Sequence, residues 1–175
     1  MEFRLTVAYL IPEIIETERL NLRMFQAEDW RDLCVLYSDA ETTQYTLRRT
    51  LDEDETWRIV VMFIGHWQVR GYGPYAVEDK ATGKVMGNIG LWYPEIWPEP
   101  EIMWSLAKPF WGKGFASEAA FAVKKMAVEK LPDVSLISLM DKNNIRSQGV
   151  AKKLGARFEK EIIFKNHPTC VYRHT

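Results

Sequence analysis

Apolar and polar residues alternate along Thr17-Glu-Arg-Leu-Asn-Leu-Arg-Met24, the period of a strand with one buried face. The period then lengthens. Over Ala27 to Ser38, Trp30, Leu33, Cys34 and Tyr37 fall three and four residues apart, and over Asp52 to Val69 the same spacing links Trp57, Val60, Val61, Ile64 and Trp67. Both segments predict amphipathic helices. Gly71-Tyr-Gly-Pro74 ends the second one. Strands are predicted at Tyr75 to Glu78 and Lys84 to Leu91, joined by the turn Asp79-Lys-Ala-Thr-Gly83. Trp92 to Pro100, with three prolines, reads as an irregular connection to a strand at Glu101 to Ala107. A helix follows over Gly114 to Lys130, with Ala116, Ala119, Ala120, Val123, Met126 and Ala127 on its buried side. A strand at Ser135 to Met140, a helix at Asn144 to Leu154 and closing strands at Ala156 to Phe164 and Cys170 to His174 complete the pattern. Residues 1–14 are expected to be a loose lead-in to a single domain. The strand–helix–strand unit around Gly114 implies a parallel pair at the centre of a mixed α/β sandwich.

Composition narrows the function classes. The chain has 175 residues, 47% hydrophobic and 27% charged, which suits one globular domain with a core of its own. A net charge of −1 gives no basic footprint for nucleic acid. Cys34 and Cys170 lack metal-type spacing and read as buried or free thiols of a reducing, cytoplasmic compartment. His66, His167 and His174 do not cluster, so no metal is expected. No apolar run reaches the ~18 residues of a membrane span.

One stretch carries candidate chemistry. Trp104-Ser-Leu-Ala-Lys-Pro-Phe-Trp-Gly-Lys-Gly-Phe-Ala-Ser-Glu-Ala-Ala120 runs from a strand through a turn with Gly112 and Gly114 into an Ala-rich helix that no Ser, Thr, Asp or Asn caps. A helix start leaves backbone N–H groups unpartnered and partly positive, so an anion can serve as the cap. The turn is not a Walker A loop, because Lys113 lies between the glycines and Phe115 follows. Nor is it a dinucleotide fingerprint: Ser117 stands where a third glycine belongs, and four residues separate the strand from Gly112. The alternative is a structural turn with no ligand.

Neighbouring motifs favour the ligand. Trp111-Gly-Lys-Gly-Phe-Ala116 resembles the acyl-CoA pyrophosphate loop of the GCN5-related N-acetyltransferases (GNAT), Gln/Arg-x-x-Gly-x-Gly/Ala, with Trp111 replacing Gln/Arg as in the ribosomal-protein acetyltransferase branch. Thr17-Glu-Arg-Leu-Asn-Leu-Arg23 is similar to that branch's opening strand. Gly71-Tyr-Gly-Pro-Tyr-Ala-Val77 with Thr82-Gly-Lys-Val-Met-Gly87 is similar to its second and third strands. Asn144-Ile-Arg-Ser147 with Lys153-Leu-Gly155 is similar to its last helix. The resemblance implies about seven strands in a mixed sheet, flanked by about four helices and splayed between Glu101–Ala107 and Ser135–Met140. Pantetheine would lie in the splay near Leu106 and Ala107. The N–H groups of Gly112, Lys113, Gly114, Phe115 and Ala116 would hold the pyrophosphate, Ala116 and Ser117 would leave it room, Lys113 would add charge, and Trp111 would shield the loop.

The implied activity is transfer of an acetyl group from acetyl-CoA directly to a primary amine, a protein N-terminus or a small molecule, in a ternary complex. An alkylammonium with a pKa of ~10 must lose a proton first. Glu101 is the candidate base, beside apolar Ile102 and Trp104, with Glu99 and Asp79 as alternatives. A strand N–H near Leu106 would meet the carbonyl oxygen. The family's usual acid, a Tyr, falls at Ala151, which leaves Ser147 as the nearby hydroxyl; Ser147 and Asn144 are also expected to hold the cofactor. The aromatic stretch Trp92 to Pro100 is expected to line the acceptor cleft, and the protein to be a monomer or homodimer. The rival reading is a non-catalytic acyl-CoA-binding module on the same fold.

Overall fold

The computed structural model describes residues 8–175. Eight strands form one sheet in the order β1-β2-β3-β4-β5-β6-β8-β7. The strands are β1 (Ile14–Glu16), β2 (Leu20–Arg23), β3 (Pro74–Asp79), β4 (Val85–Trp92), β5 (Glu101–Leu106), β6 (Leu136–Asp141), β7 (Arg157–Phe164) and β8 (His167–His174). The helices are α1 (Trp30–Tyr37), α2 (Ala40–Thr43), α3 (Glu53–Arg70), α4 (Phe115–Lys130) and α5 (Ile145–Lys153).

The eighth strand is β1, three residues at the sheet edge with Ile14 exposed, too short and too weakly patterned for alternation to mark it. Of the expected lead-in, residues 1–7 lie outside the described residues. Those after them are tied down: Leu10 N–H donates to Gly71 O, Ile11 is buried, and the Tyr75 hydroxyl bonds Pro12 O. Helix α2 is also additional. The Asp39 side chain accepts Thr42 N–H and starts a new turn just past α1.

Helices α1 and α3 cover one face of the sheet, where Leu33, Leu36, Val60 and Phe63 meet Ala76, Val85 and Trp92. Helix α4 covers the other. Ala119, Ala120 and Ala127 are fully buried and let its axis come close to Ile89, Leu91 and Ile102. Helix α5 packs on β6 and β8 through Ala151 against Met140, Cys170 and Tyr172.

The parallel pair at the centre is almost absent. β5 and β6 share one register pair, Glu101 with Ile137, and then part. Two side chains span the gap where ladder bonds stop. The Glu101 carboxylate accepts Leu139 N–H at 3.0 Å and the Trp97 indole N–H at 2.8 Å. The Ser138 hydroxyl donates to Ile102 O at 2.6 Å and accepts the Nε2–H of His174 at 2.8 Å. Both bridging groups are buried. Burial pushes the Glu101 carboxyl up to about 7, against the pull of the two N–H donors. Burial also drives His174 down to about 4, helped by the nearby charges of Lys124 and Arg173.

Two expectations follow. Ser138→Ala leaves Ile102 O and His174 Nε2–H buried without a partner and should cost about 1–3 kcal/mol in urea unfolding. Glu101 and His174 should give opposing pH dependences. Between the ordinary carboxyl value of 4.5 and about 7 the folded chain keeps a proton on Glu101 that the unfolded chain has lost, so this contribution falls as pH rises. The imidazole takes its proton first in the unfolded chain, so its contribution falls as pH drops from 6.5 to about 4. Glu101→Gln should therefore make the slope of stability against pH more positive between pH 4.5 and 7, by up to about 1.4 kcal/mol per pH unit. An unchanged slope in urea titrations across that range would contradict the assignment.

Candidate functional site

Beyond Ile102 the parted strands open onto a cavity of about 750 Å³. Its floor is Trp104, Ser105 and Leu106 of β5; one wall is the loop from Phe110 to Ser117 apart from Lys113, the opposite wall comes from Asn143 to Lys153, and its mouth is bordered by residues between Glu41 and Thr46.

Ala107 N–H donates to Met86 O at 2.8 Å, in a register where Leu106 faces Gly87. That makes Leu106–Gly87 a non-hydrogen-bonded pair, so the N–H and C=O of Leu106 turn away from β4, into the opening. The carbonyl is taken by the Trp111 indole N–H at 2.6 Å, and the N–H is left facing the opening. Trp111 thus does more than shelter the loop: it ties the loop to the end of β5. Ala107 is the exception among the expected cofactor contacts. Its N–H belongs to the ladder with β4, and it is buried away from the cavity.

Helix α4 starts on Gly114 with no side-chain cap. The first helical N–H bond runs from Glu118 to Gly114 O, so the N–H groups of Phe115, Ala116 and Ser117 lack helical partners. Gly112 and Gly114 have φ of +73° and +82°, a turn that side chains resist. A Cβ on Gly112 would project into open space. The turn is held from behind by Arg19, which donates to Lys113 O at 3.0 Å, pairs with Glu118 at 2.7 Å and stacks on Phe115. Thr17 donates to the same carboxylate at 2.6 Å. The Lys113 ammonium lies over the Phe110 ring at 5.8 Å, and Lys113 does not line the cavity.

On α5, the Asn144 side chain accepts Ser147 N–H and caps the helix. The Ser147 hydroxyl accepts the Trp104 indole N–H at 3.3 Å, which leaves its own proton free to donate into the cavity. Ala151, the place of the family's usual Tyr, lies one turn beyond Ser147 on the same face of α5 and is fully buried, in a cluster with Tyr172 that Trp104 packs against. A phenol at that position would enter the core.

The residues expected as base and acceptor wall do not line the cavity. Glu101 does not line the cavity; its carboxylate is the brace between β5 and β6. Glu99 pairs with Arg173, and Asp79 turns the β3–β4 hairpin through Thr82. Within Trp92 to Pro100, Trp92 is buried against Phe63 and stacked on His66, while Trp97 packs on Phe164. The cavity mouth is formed instead by Glu41, Thr42, Gln44, Tyr45 and Thr46, a polar stretch without periodicity that gave no sequence signal. Arg146 was legible as a charge inside Asn144-Ile-Arg-Ser147, and it too lines the cavity. Among the described residues, Glu41 is the only carboxylate that lines the cavity. Lys108 and Arg146 beside it hold its carboxyl below the usual range. Neither cysteine lines the cavity, and burial raises both thiols.

The chain is similar to known proteins over most of its length. Over 129 residues the chain is 33% identical to the uncharacterised N-acetyltransferase p20 of Bacillus licheniformis, covering 73% of this chain and 68% of that one. An acetyltransferase structure from Agrobacterium tumefaciens superposes with a TM-score of 0.82 and 27% identity over 98% of this chain and 99% of its own. The CoA complex of RimL, a ribosomal L7/L12 α-N-protein acetyltransferase, shares the fold with a TM-score of 0.76 at 21% identity, over 93% and 97% of the two chains. The sequence model of the acetyltransferase (GNAT) domain matches residues 19–157, and the chain belongs to that family.

Proposed function

We propose that the protein is an acetyl-CoA-dependent N-acetyltransferase that passes the acetyl group directly to a primary amine in a ternary complex, within one domain. The observation that carries this reading is the continuity of the cavity: it runs from the uncapped start of α4, past the inward N–H of Leu106, to the free hydroxyl proton of Ser147. These groups fit acetyl-CoA in order along its length. The unpartnered N–H groups of Phe115, Ala116 and Ser117, with the open turn at Gly112 and Gly114, suit a pyrophosphate. The parted edge of β5 suits a pantetheine amide, as it would an added strand. Acetyl-CoA supplies the thioester.

The chain's own residues supply the rest. Leu106 N–H would meet the thioester oxygen as it gains charge, and Ser147 would donate to the departing sulfur. A thiol pKa near ~8.5 asks for little more acid help than that. Direct transfer fits the absence of either cysteine from the cavity. Glu41, held in its charged form, suits attraction of an ammonium better than removal of its proton. Glu101 acts first as the brace that keeps the opening in shape. A carboxyl near 7 is also matched to proton removal at neutral pH, and the pH–rate profile of Glu101→Gln separates the two roles: loss of an acidic limb near 7 marks a base, a uniform fall marks the brace.

Wild-type protein should bind acetyl-CoA in calorimetry and release free thiol with amines or N-terminal peptides. Turnover on no acceptor despite tight binding would favour the binding-module reading, and no CoA binding would end both. Ser117→Asp gives a sharp control. A carboxylate in the first turn favours α4, yet it should weaken acetyl-CoA roughly 10- to 100-fold by repelling the pyrophosphate, with thermal stability kept or raised. Ser147→Ala should lower kcat about tenfold and leave acetyl-CoA affinity within a few fold.

A further inference from the structure

The loop that opens α4 brings no cation into the cavity. Its one lysine, Lys113, sits over Phe110, and Trp111 is neutral. A pyrophosphate on backbone N–H groups alone would face partial charges only. The cations of the cavity come from α5, as Arg146 and Lys153. Arg146 is the one aimed at the loop: its guanidinium lies on the Trp111 ring, 4.6 Å from the centre. From that position Nη1 meets Glu41 of α2 at 3.1 Å, and Lys108 holds the other oxygen of the same carboxylate at 2.5 Å. Arg146 is 68% exposed and Glu41 37%. Such a pair is screened by water and yields readily to a stronger partner.

We infer that Arg146 is a phosphate-binding residue of the cofactor site, supplying from α5 the charge its loop lacks, and that Glu41 holds it in reserve until a phosphate takes it over. This rests on the acyl-CoA reading of the cavity. A guanidinium meets phosphate oxygens with paired N–H groups and keeps its face on an indole while doing so. The exchange leaves Glu41 with Lys108 alone and opens one side of a carboxylate at the mouth, where a cationic acceptor would arrive. Cofactor binding thereby prepares the acceptor side, with Arg146 as the shared element.

The test is a double-variant cycle on CoA binding, read by calorimetry at several salt concentrations. Arg146→Met keeps most of the stem and should weaken CoA about tenfold and flatten the salt dependence, and Arg146→Lys should recover part of the loss. Glu41→Gln removes the competitor and should tighten CoA about three- to tenfold, a gain that vanishes in the Glu41→Gln/Arg146→Met double variant. CoA affinity unchanged in Arg146→Met, or unchanged or weakened in Glu41→Gln, overturns the inference while the cofactor reading stands. Absence of CoA binding by the wild type overturns the cofactor reading, and the inference with it.

Discussion

Where β5 and β6 part after Glu101 and Ile137, two strands at the centre of a sheet are left with backbone groups that no neighbour satisfies. Buried N–H and C=O groups need partners. At the closed end the partners are side chains, the carboxylate of Glu101 and the hydroxyl of Ser138. Further along, the partner of Leu106 O is the Trp111 indole, and the Leu106 N–H faces the cavity. The opening is thus wedged by buried polar groups, one of which, His174, keeps Nδ1 without any partner.

The rest of the site is arranged around that gap. The loop to α4 must cross its end, and left-handed glycines let it turn there without filling the space. Trp111 pins the loop to β5 in front, while Arg19 and Thr17 grip Glu118 and the loop backbone from behind. Trp104 reaches across the gap to Ser147 and couples the floor of the cavity to α5. The ties made by Thr17, Arg19 and Trp104 join elements far apart in sequence, so the cavity keeps its shape only while the whole sheet is assembled.

Much of this was legible in the chain. Apolar patterning and the turn residues between segments marked seven strands and four helices, because those segments are long enough to show a period or to be bounded by turns. Motif order located the splay, the uncapped start of α4 and the Asn144 cap. Thr17 and Arg19 were legible as a motif, but their work on Glu118 was not, since nothing local records a contact across 99 residues. The short elements β1 and α2 escaped because three or four residues complete no period. The aromatic stretch before β5 does not line the cavity: Trp92 and Trp97 are apolar and close to β5 in sequence, yet the fold turns them into the packing around Phe63, His66 and Phe164.

Residue order alone determined the alternation of strands and helices, the turn that leaves a helix start open to an anion, and the family. These are local properties, written in neighbouring residues and in backbone preference. Tertiary structure decided which polar groups face the gap. It put Glu101 inside the sheet as a brace, buried Ala151 in the core, and set Arg146 on Trp111 opposite Glu41. Those assignments depend on strand register and on which face of a helix meets the sheet, and a shift of one residue in either would exchange inside for outside.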